Sequence, residues 1–276
     1  MIRNGIILKY ITQNKGGVNM NHVIKTLEKR VSLRRYKDLD IREEDLETIL
    51  KSAMKAPTAG NMQLYSIIVI KDEETKKKLS RTCDNQDFIA KAPIILLFLA
   101  DMQRWFDYYD YCNVKKMCEE KDIVYNGPEE ADLFLACSDA LIAAQNAVIA
   151  AESLGIGSCY IGDIMENYEI HREIFGLPKW TFPIALLPMG YYPEDFERVH
   201  RERFGIRYIV FDEKYKRLKK EDFEEMFKNR GHMDYDKLNV ENFGQFMYFQ
   251  KTGADFSIEM ARSVKKALEN WKGEIL

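Results

Sequence analysis

The stretch Asp132–Leu154 constrains the fold more than any other part of the chain. It is the most apolar helix the sequence encodes, with small side chains at Ala136, Ser138, Ala140, Ala143, Ala144, Ala147, Ala150 and Ala151. So apolar a helix must be surrounded, either by protein or by lipid. Asp132, Asp139, Gln145, Asn146 and Glu152 interrupt it and make membrane insertion costly. It therefore reads as a central core helix whose small residues let neighbours approach closely. Gly155-Ile-Gly-Ser158 ends it.

Around this helix, Tyr65–Ile70 and Ile94–Leu99 are short, β-branched or aliphatic runs that read as buried strands, and Phe182–Pro188 and Arg207–Phe211 as later ones. Ile41, Leu46, Ile49, Leu50, Ala53 and Met54 recur at helical spacing behind Asp40, which with Glu43 resembles an N-terminal cap. Asp72–Arg81 reads as a surface helix and Tyr168–Phe175 as a short one. Residues 105–126, rich in Tyr, charge and Cys, read as an insertion that shapes a pocket or lid. Ser257–Trp271 carries Ile258, Met260, Ala261, Val264, Ala267, Leu268 and Trp271 on roughly one face. Such a face left open on a monomer is an aggregation liability, so it must be covered, by its own subunit or by a second one. Strands alternate with helices without a long linker, which gives one α+β domain. The expected boundaries are an extension over 1–21, a cofactor-binding domain over 22–212 and a helical extension over 213–276. Organised sequence begins just after Met20, which reads as the natural start.

A formal net charge of −3 supplies no general attraction to nucleic acid or anionic membrane, and neither is expected as a partner. Five cysteines without a CxxC pair point to reduced thiols and a cytoplasmic setting. The four histidines lack metal-ligand spacing, so no metal site is expected.

Three separated segments carry chemistry. In Arg30-x-Ser32-x-Arg34, alternation puts two guanidiniums and a hydroxyl on one side of an extended segment, where they can converge on a phosphate. Arg201-x-Arg203 repeats the arrangement. Gly155-Ile-Gly157 through Tyr160-Ile-Gly162-Asp163 permits close backbone approach to a flat ring. Each is ambiguous alone, since arginine pairs are commonly solvated and a glycine after a helix is commonly a C-cap. Together they indicate a phosphorylated planar cofactor.

In order, these motifs resemble the FMN-dependent nitroreductase family. Arg30-Val-Ser-Leu-Arg-Arg-Tyr36 is similar to its opening signature Arg-x-Ser-x-Arg-x-aromatic, and Ala56-Pro-Thr-Ala-Gly-Asn61-Met-Gln63 to its Ala-Pro-Ser-x-x-Asn-x-Gln stretch. Asp139–Gly162 resembles the central helix and flavin-binding turn, and Phe175-Gly-Leu-Pro178, Met189-Gly190-Tyr and Arg201-x-Arg203 follow in family order. The stretch Gln86–Ala92 and the long helix resemble the NADPH-dependent nitroreductase and flavin reductase branch.

The resemblance implies a mixed sheet flanked by helices and a homodimer with FMN between subunits, the C-terminal arm packing on the partner subunit. NADPH or NADH would be the electron donor, and a small-molecule acceptor such as a nitroaromatic, a quinone or free flavin would be reduced by ping-pong hydride transfer. The flavin itself would carry the chemistry, with no catalytic side chain. Arg30, Ser32, Arg201 and Arg203 would grip the 5′-phosphate, with Val31 in the same segment. Arg34 would lie near the pyrimidine edge and Gln86 would hydrogen-bond the ring. Pro57, Thr58 and Asn61 would come from the partner subunit. The backbone of Tyr160, Ile161, Gly162 and Asp163 would face the ring and N5. Two positions depart from the pattern. Leu64-Tyr65 replaces Pro-aromatic, and Gly162-Asp163 replaces Gly-Gly or Glu-Gly, which changes the charge near N5. The alternatives are a flavin-binding sensor or storage protein without turnover, and a reductive dehalogenase or flavin-destroying enzyme on the same fold.

Overall fold

The computed structural model describes residues 20–230 and 235–272. In chain order the elements are α1 (His22–Lys29), α2 (Glu43–Ala53), β1 (Tyr65–Ile70), α3 (Glu73–Thr82), α4 (Asp87–Ala90), β2 (Ile94–Asp101), α5 (Gln103–Tyr111), α6 (Val114–Glu120), α7 (Glu130–Ser153), β3 (Ile156–Ser158), α8 (Tyr168–Phe175), β4 (Thr181–Tyr191), α9 (Lys220–Phe227), α10 (Phe243–Met247) and α11 (Asp255–Trp271). Among the described residues they fall into two compact units, 30–197 with 255–272, and 20–29 with 198–230 and 235–254. The reading of Met20 as a start concerns residues 1–19, which lie outside the described residues.

The larger unit is built on a four-stranded sheet in the order β1-β2-β4-β3, every neighbouring pair antiparallel. A parallel bridge between Ser32 and Ser158 adds the one parallel pairing among the described residues. β2 is buried along its whole length, as its unbroken aliphatic run requires of a strand covered on both faces. Its side chains alternate between two cores. Ile94, Leu96 and Phe98 meet Ile49 and Ala53 of α2 and Ala140, Ala143, Ala144 and Ala147 of α7. Ile95, Leu97 and Leu99 meet Leu79 of α3, Ile89 of α4 and Ile161, Ile164 and Leu177 beyond β3. The result is three layers, helix on sheet on helix.

α7 is long and apolar enough to cross a membrane, but it serves as the helix on which α2 and the sheet pack. Its alanines line the buried face, where fully buried Ala140, Ala143, Ala144 and Ala147 bring the sheet close. The other face leaves Phe134, Leu135, Leu141 and Ile142 exposed, Phe134 by 72%. Sequence patterning alone did not separate these faces, because apolar residues occupy both.

Several local expectations change. No strand forms at Arg207–Phe211; Ile206–Tyr208 is a single 3-10 turn in the smaller unit, where Arg207 stacks on Tyr208 at 4.6 Å and pairs with Glu225. Neither Asp40 nor Glu43 caps α2. Arg42 precedes that helix without a side-chain cap and instead grips buried Asp45 through two 2.9 Å bonds, Asp45 also accepting Tyr191 Oη at 2.7 Å. Residues 105–120 hold most of α5 and all of α6, anchored by Phe106 against Trp180 and by Trp105 Nε1 donating to Met62 O at 2.8 Å.

The C-terminal helix α11 also departs from expectation. The C-terminal half of its apolar face packs within its own chain, Ala267 and Trp271 being buried with Leu133, Tyr168, Trp180 and Phe182, while Ile258 is 61% exposed. Trp271 Nε1 donates to Glu129 O at 3.1 Å, and Trp180 Nε1 donates to Trp271 O at 3.0 Å. The helical pattern is right, but periodicity records only that a face must be covered, not what covers it.

Candidate functional site

The Arg30–Arg34 segment is extended, as its alternation predicts. Leu33 N donates to Ser158 O at 3.0 Å, beside the Ser32–Ser158 bridge, so the segment lies along β3. Val31 and Leu33 point into the core while Ser32 and Arg34 face outward. This close approach depends on Gly157: a Cβ there would fall 2.6 Å from Leu33 Cδ2 and 2.7 Å from Tyr192 Cζ. Among the described residues, no carboxylate pairs with Arg30 or Arg34, although ion pairs are common elsewhere on the surface. Arg34 instead lies over the Phe88 ring at 5.7 Å. Two uncompensated guanidiniums beside a hydroxyl are a donor set suited to a phosphate dianion.

Beyond β3 the backbone stays beside β4, with Ile161 N donating to Leu186 O at 2.9 Å and Leu186 N to Ile161 O at 3.2 Å. The chain then turns through Asp163–Met165. Gly162 has φ −78° and ψ −21°, which any residue adopts, and an added Cβ would meet nothing nearer than Met165 Cε at 4.0 Å. Neither backbone conformation nor packing within the chain requires glycine here. An open surface over its peptide is what close approach of a flat ring would demand.

Gln86 completes this edge. Its Nε2 donates to Asp163 Oδ2 at 2.8 Å and to Cys83 O at 3.0 Å. Arg30, Ser32, Arg34, Gln86 and Tyr160–Asp163 are thereby drawn around the end of β3. Burial pushes the Cys159 thiol up, opposed by the nearby Arg34 guanidinium, the Ser32 hydroxyl and Arg30. Burial likewise raises the Tyr36 phenol, whose Oη is buried without a hydrogen-bond partner. Tyr160 is raised by burial and drawn back by Arg30.

The other expected residues belong to other segments. Pro57, Thr58 and Asn61 lie on the loop between α2 and β1, which coils through left-handed Gly60, Asn61 and Gln63. Asp139, buried in the middle of α7, anchors that loop by accepting Ala59 N at 3.1 and 3.3 Å and Leu64 N at 3.3 Å. Arg201 and Arg203 belong to the smaller unit, where both are exposed and unpaired with any described carboxylate. Their segment is fixed by Arg230, which donates to Glu202 O at 2.8 Å and lies 4.3 Å over Phe204.

Sequence reading missed the roles of Asp139 and Glu166. For Asp139 a signal existed, since a carboxylate amid alanines must find donors when buried. Glu166 carried none; it is 4% exposed, and its environment pushes it up to about 8 through burial first and then through Asp163, Asp84 and Glu259. A separate cleft of about 750 Å³ is lined by Tyr36, Lys37, Asp38, Lys71, Lys76 and Lys91 among others, but none of the expected site residues borders it. Its buried Lys76 is already satisfied by Glu73 and Ala92 O.

Known proteins align with this arrangement. The nitroreductase family model matches residues 27–191. A Bacillus subtilis FMN reductase (NAD(P)H) is 36% identical over 180 residues, 64% of this chain and 68% of that protein. A Staphylococcus aureus NADPH-dependent oxidoreductase is 26% identical over 225 residues, covering 81% of this chain and 84% of the relative. Among solved structures, B. megaterium NfrA2 superposes with a TM-score of 0.74 at 28% identity, over 93% of this chain and 100% of that one.

Proposed function

The chain belongs to the nitroreductase family, and we propose that it is an FMN-dependent NAD(P)H oxidoreductase acting on nitroaromatics, quinones or free flavin. The observation that carries this reading is the carboxylate-free set Arg30, Ser32 and Arg34 laid along β3, next to the open face of Gly162. FMN, when bound, supplies hydride acceptance and delivery; the protein supplies position and electrostatics. Arg30 and Ser32 hold the phosphate, and Arg34 sets a positive charge at the pyrimidine edge, where it favours negative charge on the reduced ring. Gln86 orients the ring edge, and the peptides of Tyr160, Ile161, Gly162 and Asp163 form a flat floor. The phosphate role is extended to Arg201 and Arg203 on their place in the family's motif order.

In this reading the protein is a cytoplasmic homodimer. The exposed stripe Phe134, Leu135, Leu141 and Ile142 on α7 supports it, since a contiguous apolar helix face favours burial against a second copy. Pro57, Thr58 and Asn61, on the loop tied to the same helix through Asp139, then complete the partner's site. All five cysteines are free thiols, in keeping with a reducing compartment.

Equilibrium FMN binding tests the cofactor assignment. One FMN per chain is expected, and Arg203→Ala should weaken it by about tenfold to hundredfold, the equivalent of one charge-assisted contact of about 1.5–3 kcal/mol. Unchanged affinity in that variant removes Arg203 from the site, and no FMN binding by the unmutated protein overturns the whole reading.

A further inference from the structure

The turn that leads from Gly162 into α8 is not capped by its own segment. Asn167 precedes α8 in the left-handed region, at φ 49°, and its side chain makes no capping bond to that helix. The first N–H groups of a helix have no acceptor inside it and must find one elsewhere. Here they find it on α11. Asn167 N donates to Glu259 Oε1 at 3.2 Å, and Tyr168 N donates to Ser263 Oγ at 3.1 Å. Glu259 and Ser263 share one face of α11 at a spacing of four, and Ser263 Oγ donates to Glu259 Oε1 at 2.9 Å. One side-chain pair thus holds two successive peptide N–H groups. Ser263 is fully buried, so water cannot take its place. Arg262 orients the carboxylate, with Nε donating to Glu259 Oε2 at 2.9 Å and Nη2 to Oε1 at 2.8 Å. Two further bonds of 2.8 Å tie the same guanidinium to Glu169 in the first turn of α8.

Asn167 passes this support to both sides of the candidate site. Its Nδ2 donates to Thr82 O at 2.8 Å, at the end of α3. The last turn of α3 also fixes the Gln86 backbone, whose N donates to Ser80 O at 2.8 Å. Toward Gly162, the turn is closed by Met165 N donating to Gly162 O and Glu166 N to Asp163 O, each at 3.0 Å. His171 of α8 donates from Nδ1 to Ile164 O at 2.8 Å, so the helix that α11 caps also grips the turn.

We propose that Glu259 and Ser263 are positioning residues of the flavin site. By capping α8 from α11 they hold the turn Asp163–Met165 in register with the end of α3, and so set the Gly162 floor against the Gln86 edge. This rests on the FMN-binding reading above. The C-terminal helix, which carries none of the cofactor-binding motifs, then has a part in flavin retention besides covering its own apolar face. Without the cap, two N–H groups lose their acceptor and left-handed Asn167 loses one of the bonds that hold it.

Equilibrium FMN binding by Glu259→Ala, Glu259→Gln and Trp271→Phe tests this, each at a temperature where circular dichroism shows the flavin-free protein folded. Glu259→Ala should bind FMN about fivefold or more weakly. Glu259→Gln keeps a carbonyl oxygen for Asn167 N and Ser263 Oγ, and should stay within about twofold of the unmutated protein. Trp271→Phe loses a hydrogen bond at the far end of the same helix and should also stay within about twofold. Without flavin, hydrogen exchange at Asn167 and Tyr168 should accelerate in Glu259→Ala and not in Trp271→Phe. Unchanged exchange at those two amides overturns the cap. Accelerated exchange with unchanged FMN affinity, or equal loss of affinity in Glu259→Ala and Trp271→Phe, overturns the positioning role. Absence of FMN binding by the unmutated protein overturns the functional reading instead, and the flavin-free exchange comparison still decides the cap.

Discussion

Trp271→Ala should lower the free energy of unfolding by about 3–5 kcal/mol, the range for removing a fully buried large aromatic side chain. Trp271 is 2% exposed, and it closes the cluster formed by Leu133 of α7, Tyr168 of α8 and Trp180 and Phe182 around β4. Truncation also removes the indole N–H that donates to Glu129 O at the start of α7. Trp271→Phe should recover most of the packing and lose chiefly that bond, worth about 1 kcal/mol. Denaturant unfolding followed by circular dichroism measures both. If α11 were instead an exchanged arm, Trp271→Ala would leave the isolated subunit's stability almost untouched and act only on dimer dissociation.

Asp139→Ala should cost about 2–4 kcal/mol, because it removes a buried acceptor from the peptide N–H groups of Ala59 and Leu64. Leu64 is buried, so its N–H has no water to turn to once the carboxylate is gone. Asp139→Asn keeps one acceptor oxygen at reduced strength and should fall between the two. The loss has a functional side, since the Asp139 bonds set the conformation of the loop that carries Pro57, Thr58 and Asn61. Hydrogen exchange at Ala59 and Leu64 should accelerate in Asp139→Ala while the amides of β2 stay protected in proportion to global stability. Unchanged exchange at those two amides would show that the loop holds itself without the helix.

Much of the fold was legible because its strongest signals are local. The aliphatic run of β2, the start and end of β1 and α8, and the length of α7 each follow from composition over a few residues. The extended Arg30–Arg34 segment was legible for the same reason: alternation of Val31 and Leu33 with Ser32 and Arg34 is a period of two. What stayed hidden depends on partners far away in sequence. Arg207–Phe211 has β-branched and aromatic residues, yet an aromatic and a carboxylate claim Arg207 and a turn forms. β3 is three residues long and exists because β4 receives it, with Gly157 admitting Leu33 alongside. The cover over Trp271 and the anchoring by Asp139 are likewise long-range effects that no short window records.

The site was legible in its charge pattern and less so in its support. Arg30, Ser32 and Arg34 stand out by spacing, whereas Gln86 acquires a defined polarity only because Asp163 and Cys83 O meet its amide nitrogen across the fold. Asp163, noted in sequence as a departure from the family's pattern, has a structural explanation in that bond.

The central claim is tested most directly by anaerobic titration of the FMN-loaded protein with NADPH and with NADH, followed by a quinone. Rapid bleaching of the visible flavin absorbance by at least one of the nucleotides, and its return when the quinone is added, is the predicted result. Bound flavin that stays oxidised with both nucleotides would mark a sensor or storage protein and contradict the account.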